Sequence, residues 1–285
     1  MRIGKRGLAT MTAGIALLAA PAVQGADNGE VHIYNWSDYI HEDTNPEFQT
    51  ETGIDVTYDV YDSNEVLEGK LMAGNTGFDV VVPTGGFFGR QIEAGIYQKL
   101  DKDKLPHWKH LDDEILDRVA DFDPGNQYGV PYMWGTTGIG YNVEMVEERL
   151  GEDAPTNSWE LIFNPKYAEK LADCGITMLD APTEAYPLAK NYLGIDTESE
   201  DPEALEKAEA LLKKMRPHVK YYHSSQYIND LANGDICVAV GWSGDVYIAA
   251  DRGAGAEDPV NINYTIPEEG TIIWFDIMAI PKDAP

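Results

Sequence analysis

Apolar and polar positions alternate along this chain with two different spacings. Residues 31–34 (Val-His-Ile-Tyr) and 54–61 make short β-type runs, and residues 78–82 make a third, bounded by Pro83 and Gly85. Between them lie helix signals: residues 46–52 are stopped by Gly53, and residues 64–72 are opened by Ser63 as an N-cap and stopped by Gly74. Residues 132–141 are Gly- and Thr-rich and apolar, and read as one extended strand crossing between two units. A second unit follows. Asp201 and Pro202 open a helix that runs to Met215. Residues 221–225 form a strand turning into a cap, 225–232 a helix, 236–240 a buried strand, and 272–280 a last strand. Strands alternating with helices predict an α/β fold with a largely parallel sheet. In such sheets ligands bind at the carboxyl ends of strands.

Those strand ends carry the candidate chemistry. Trp36-Ser37-Asp38-Tyr39 follows the first strand, Trp242-Ser243-Gly244-Asp245 follows the strand at 236–240, and Trp274-Phe275-Asp276 lies in the last strand. Brought together, they would form a box with aromatic walls and carboxylate ends. Ring faces attract ammonium groups and cover methylenes, and carboxylates accept charge-assisted bonds. An organic polycation suits such a box. Taken singly, each Trp is more often core or interface filler than a ligand wall, and each Asp more often a helix cap, with Asp38 and Asp245 both near possible helix starts. Paired carboxylates among tryptophans also describe a glycoside hydrolase or carbohydrate-binding cleft, and clustered aspartates a Ca²⁺ site. The tryptophans argue against the metal. His107 and His110 stand in a polar, Lys-rich stretch and read as a solvated loop. No metal and no cofactor is expected.

Charge narrows the partners. The 285 residues hold 21 basic and 49 acidic side chains, a net charge of −28. Residues 1–25 have a basic start at Arg2, Lys5 and Arg6, an Ala-rich apolar run and small residues near Gly25. They read as a secretory signal peptide rather than a membrane anchor. Without them 18 basic residues face 49 acidic ones, a net −31. Nucleic acid is a poor partner for such a surface, and a cationic ligand a compatible one. Cys174 and Cys237 are the only cysteines; in an exported chain they suggest one disulfide, the alternative being two free buried thiols.

Several longer stretches resemble the periplasmic polyamine-binding proteins of ABC importers, above all the putrescine-binding members. They are YNWSDYI (34–40), YDSNEVLEGKLMAGNTGFDVVVPT (61–84), LDAPTEA (179–185), HSSQYINDLANGDICVAVGWSGDV (223–246) and WFDIMAIP (274–281). The resemblance implies a type II periplasmic-binding-protein fold, with two α/β lobes closing on a ligand between them. It divides the chain into the signal peptide (1–25), lobe 1 (26–135), lobe 2 (136–255) and a segment returning to lobe 1 (256–285). The last strand stands without a covering helix, and on this reading the C-terminal part is truncated. The family's ligand positions fall on Trp36, Ser37, Asp38, Tyr39, Thr84, Glu184, Trp242, Asp245, Trp274 and Asp276. Thr84 and Glu184 enter through the resemblance alone. Thr84 stands where the putrescine pattern has serine, and Trp274 where it has phenylalanine; spermidine-binding members can carry Trp there. The implied protein is a monomer without enzymatic activity. It captures a polyamine in the periplasm, putrescine before spermidine, and delivers it to a membrane permease.

Overall fold

Among the described residues of the computed structural model, 29–284, nine strands carry the fold. They are β1 (Glu30–Trp36), β2 (Asp55–Tyr61), β3 (Val80–Val81), β4 (Gly129–Asn142), β5 (Ile176–Met178), β6 (Val219–Tyr222), β7 (Val238–Trp242), β8 (Ile262–Thr265) and β9 (Ile273–Ala279). Their order in the sheet is β2-β1-β3-β9-β4-β7-β5-β6, with β8 also paired to β4. The α/β reading and the type II periplasmic-binding architecture hold. The proposed signal segment, 1–25, lies outside the described residues. No described helix is long and apolar enough to cross a membrane.

β4 is the joint of the molecule, as its extended, Gly-rich composition suggests. Its first part, from Gly129 to Thr136, pairs antiparallel with β9, and its second part pairs with β7 and β8. β1, β2 and β3 are parallel to one another, as are β5, β6 and β7. Each parallel set has its own core. Tyr34, Leu67, Phe78, Val81, Phe88 and Ile277 fill the first, and Trp159, Phe163, Ile176, Leu188 and Val240 the second. A third cluster, around Tyr227, Leu231, Ala239 and Val246, also lies on the β7 side, and buried cores on either side of one crossing strand are the physical basis for two lobes.

The punctuation residues act as the sequence indicates. Ser63 accepts the Val66 N–H at 3.2 Å and opens the helix Asn64–Ala73. Asp201 caps Pro202–Met215 through the Glu203 N–H. Ser225, expected as a cap, does not serve as one. His223 Nδ1 instead accepts the N–H groups of Ser225 and Gln226, both at 3.1 Å, at the start of the helix Gln226–Ala232. The strand expected over 78–82 shrinks to Val80–Val81.

Cys174 and Cys237 form a disulfide across 63 residues, which removes the free-thiol alternative. It ties the turn before β5 to the residue preceding β7. Closing a loop of that length limits the unfolded chain more than the folded one. Replacing both cysteines with serine is expected to cost about 2–4 kcal/mol, read as a lower urea midpoint. An unchanged midpoint would show that the bond does not stabilise the fold.

Candidate functional site

The carboxyl ends of β1, β2, β6 and β7 converge on one cleft, where β9 supplies Trp274 and Asp276 and the start of the helix Pro182–Tyr192 supplies Glu184. The cleft and its mouth hold about 570 Å³ of space between atoms, open solvent included. Nine of the ten expected residues line it: Trp36, Ser37, Tyr39, Thr84, Glu184, Trp242, Asp245, Trp274 and Asp276. Among the described residues no lysine, arginine or histidine does so.

The walls are held from behind. The Trp36 indole N–H donates to the Val82 carbonyl at 2.9 Å, and its ring meets Trp242 edge to face, centroids 5.5 Å apart. That contact joins a side chain of β1 to one of β7, and Trp242 packs against buried clusters on both sides. Trp274 lies over β4 at Gly135. A Cβ there would stand 2.6 Å from the indole, so only glycine lets the ring cover the strand.

Each acid is gripped by a hydroxyl. Asp276 is nearly sealed; it accepts Thr84 Oγ1 at 2.6 Å and Tyr39 Oη at 2.8 Å. Burial pushes its carboxyl up to about 7, although those two bonds pull it down, and Glu184 adds a smaller push upward. Asp245, third residue of the helix Ser243–Ala254, accepts Tyr227 Oη at 2.7 Å. Burial also raises it to about 7; Tyr227 and Arg252 oppose the rise, while Asp38 and Asp276 add to it. Glu184 accepts Thr137 Oγ1 at 2.7 Å, and burial lifts its carboxyl above the usual range. Three carboxyl groups that repel one another, with no basic side chain in the lining, make a site for a cation.

Asp38 is the exception among the expected residues, because the structure does not bring it to the cleft lining. Its backbone is left-handed (φ 53°). Asp38 Oδ1 meets Arg252 Nη2 at 2.5 Å, with both side chains about 40% exposed. Arg252 stands on the helix Ser243–Ala254, so the pair closes the cleft rim from outside. Thr183 Oγ1 and Glu65 Oε1, 3.4 Å apart, do the same elsewhere. An exposed pair of this kind contributes at most about 1 kcal/mol. Asp38→Asn is therefore expected to change ligand affinity less than about fivefold by calorimetry. A hundredfold loss would make Asp38 a ligand contact after all.

The sequence reading missed Tyr61, Asp62, Asn64, Ser224, Ser225 and Ile228, all of which line the cleft. Tyr61 and Asp62 end β2, and Ser224 and Ser225 follow β6. The strand-end rule that flagged Trp36 would have found them, had it been applied to every strand.

Comparison with known proteins gives the family. Residues 46–285 match the family model of bacterial extracellular solute-binding proteins. The chain is 53% identical over 283 residues to the putrescine-binding periplasmic protein SpuD of Pseudomonas aeruginosa, covering 99% of this chain and 76% of that protein. It matches the putrescine-binding periplasmic protein PotF of Escherichia coli with the same identity and coverage. A solved structure of the spermidine/putrescine ABC transporter substrate-binding protein PotD from Streptococcus pneumoniae superposes with a TM-score of 0.67 at 31% identity, over 90% of this chain and 74% of that one. These relatives bear the names of binding proteins, not enzymes, and give the glycoside hydrolase alternative no support. The chain belongs to the bacterial extracellular solute-binding protein family.

Proposed function

We propose that this protein captures a linear polyamine, putrescine in preference to spermidine, in the periplasm and hands it to the membrane permease of an ABC importer. The observation that carries this reading is the cleft itself: Asp245, Asp276 and Glu184 converge between Trp36, Trp242 and Trp274 with no basic residue among them. A polyamine carries an ammonium at each end, with a pKa near that of lysine. One ammonium would meet Asp276 where Tyr39 and Thr84 hold it, and the other the side of Asp245 and Glu184. The indoles would cover the methylenes between. The names of SpuD and PotF, which specify putrescine, support the ligand class.

The two lobes, 26–135 and 136–255, would act as the jaws. Asp276 and Tyr39 lie on one side of the crossing strand and Asp245 and Glu184 on the other, so a single cation chain touches both only when the jaws close. The ligand thereby shifts the population toward closure, and the closed monomer presents the surface that a permease reads. Export through the segment 1–25 fits the disulfide, which needs an oxidising compartment.

Titration calorimetry with putrescine, spermidine, butylamine, Ca²⁺ and an oligosaccharide tests the reading. Tight binding of the diamine and weak binding of the monoamine are expected; equal affinity for both, or binding of the sugar alone, would end it. Trp274→Phe is expected to move the putrescine-to-spermidine preference by roughly five- to tenfold, since a bulky ring sets the length and width available beside Asp276. An unchanged ratio would remove Trp274 as a selector.

A further inference from the structure

The helix Gln226–Ala232 reads as apolar filler. Tyr227, Ile228, Leu231 and Ala232 are buried in one cluster with Val246 and Ala249 of the helix Ser243–Ala254. A tyrosine in such a stripe ordinarily supplies bulk, but a buried hydroxyl needs partners. Both partners of this one belong to the cleft. The Trp242 N–H donates to Tyr227 Oη at 3.0 Å, and the Tyr227 hydroxyl donates to Asp245 Oδ2 at 2.7 Å. The incoming N–H fixes the phenol oxygen and leaves its proton directed at the carboxylate. Trp242 is the residue before the helix Ser243–Ala254, and Asp245 is in its first turn. One hydroxyl therefore binds the entry of that helix to its acid. The strand makes room for it: at Gly241 an added Cβ would stand 2.5 Å from Tyr227 Cε2 and 3.0 Å from its oxygen.

We infer that Tyr227 is a positioning residue of the ligand site, whose hydroxyl holds Asp245 Oδ2 and so leaves Oδ1 to face the cation in the cleft. The inference rests on the proposed polyamine reading for the identity of that cation, and on the geometry alone for the positioning. Five groups face Asp245: Tyr227 from the helix Gln226–Ala232, Asp38 and Tyr39 from the loop after β1, Arg252 from its own helix and Asp276 from β9. Asp38 and Asp276 oppose its ionisation. Arg252 favours it but is engaged with Asp38 and with Asn229 Oδ1. That leaves the Tyr227 hydroxyl as the hydrogen-bond donor to the carboxylate among the described residues. Without it the carboxylate loses its anchor and the free rotation of its side chain returns, and its proton is harder to remove.

The test uses Tyr227→Phe, which keeps the ring. Because that change orphans the Trp242 N–H, 3-fluorotyrosine placed at 227 serves as a second variant; it keeps both bonds and makes the hydroxyl a stronger donor. Two measurements are made. Carbon-13 NMR follows the Asp245 carboxyl titration in the protein without ligand, with the signal assigned by its loss in Asp245→Asn. Calorimetry gives the putrescine affinity of each variant. Phenylalanine is expected to raise the Asp245 midpoint by about one pH unit and to weaken putrescine roughly tenfold. Fluorotyrosine is expected to lower the midpoint. An Asp245 midpoint that stays put in both variants would make Tyr227 core filler and overturn the inference. Because the midpoint is read without ligand, it decides the positioning role even if putrescine fails to bind the unaltered protein, a failure that would count against the polyamine reading instead.

Discussion

Asp276→Asn is expected to weaken putrescine binding by roughly 30-fold to several thousand-fold, about 2–5 kcal/mol. Asparagine keeps the shape and can still accept the Thr84 hydroxyl and pair with Tyr39, so the fold should survive. What it removes is the charge. Asp276 is 4% exposed, and an ammonium brought beside it leaves water almost entirely. An ammonium desolvated against a neutral amide recovers little of that cost. Asp245 and Glu184 could not substitute, because they stand across the cleft on the other lobe. Calorimetry at neutral pH reads the effect; an unchanged dissociation constant would show that the ligand does not reach Asp276. The circular dichroism spectrum and melting temperature should stay close to those of the unaltered protein.

The second large effect is on pH. Asp245 and Asp276 both titrate near 7 in the empty cleft, about three units above an ordinary aspartate at 3.8, chiefly through burial. An ammonium stabilises only their ionised forms, so ligand binding lowers both values and releases protons at pH values between the lowered midpoints and about 7. Affinity should accordingly fall as the pH drops from 7 to 5, by up to tenfold per unit for each carboxyl, and level off above about 8. Calorimetry in buffers of different ionisation enthalpy counts the released protons directly. For stability the sign is opposite. A carboxyl raised in the folded state binds protons that the unfolded chain has lost, so its contribution to folding is full below about 4 and fades as the pH rises toward 7. Bound polyamine offsets that loss, and the rise in melting temperature on adding putrescine should grow with pH. Affinity that is flat from pH 5 to 8 would mean that these carboxyls are already ionised in the free protein.

Much of the site was legible because strand ends are local. Trp36, Trp242 and Asp245 each follow a β-type run within five residues, and the end of a strand in an α/β unit is where side chains escape the sheet. Asp38 shows the limit. Its surroundings, Trp-Ser-Asp-Tyr, look like those of Trp242-Ser-Gly-Asp245. Its backbone is left-handed and its side chain pairs with Arg252 rather than lining the cleft. Tyr227 shows the converse: nothing in an apolar helical stripe says that its hydroxyl meets a carboxylate from eighteen residues on.

From its sequence alone the chain settled which residue types it has for the task, where several of its strands and helices lie, and that it holds just two cysteines. Those follow from local periodicity, caps and composition, which depend on neighbours a few positions away. Only the tertiary structure decided that β9 enters between β3 and β4, and that insertion sets Asp276 beside Tyr39 and Thr84, more than 190 residues distant. It also decided that the acids sit away from water, their protons held near neutrality. Burial and long-range pairing are properties of the packed whole, because the desolvation of a carboxyl depends on every element that surrounds it.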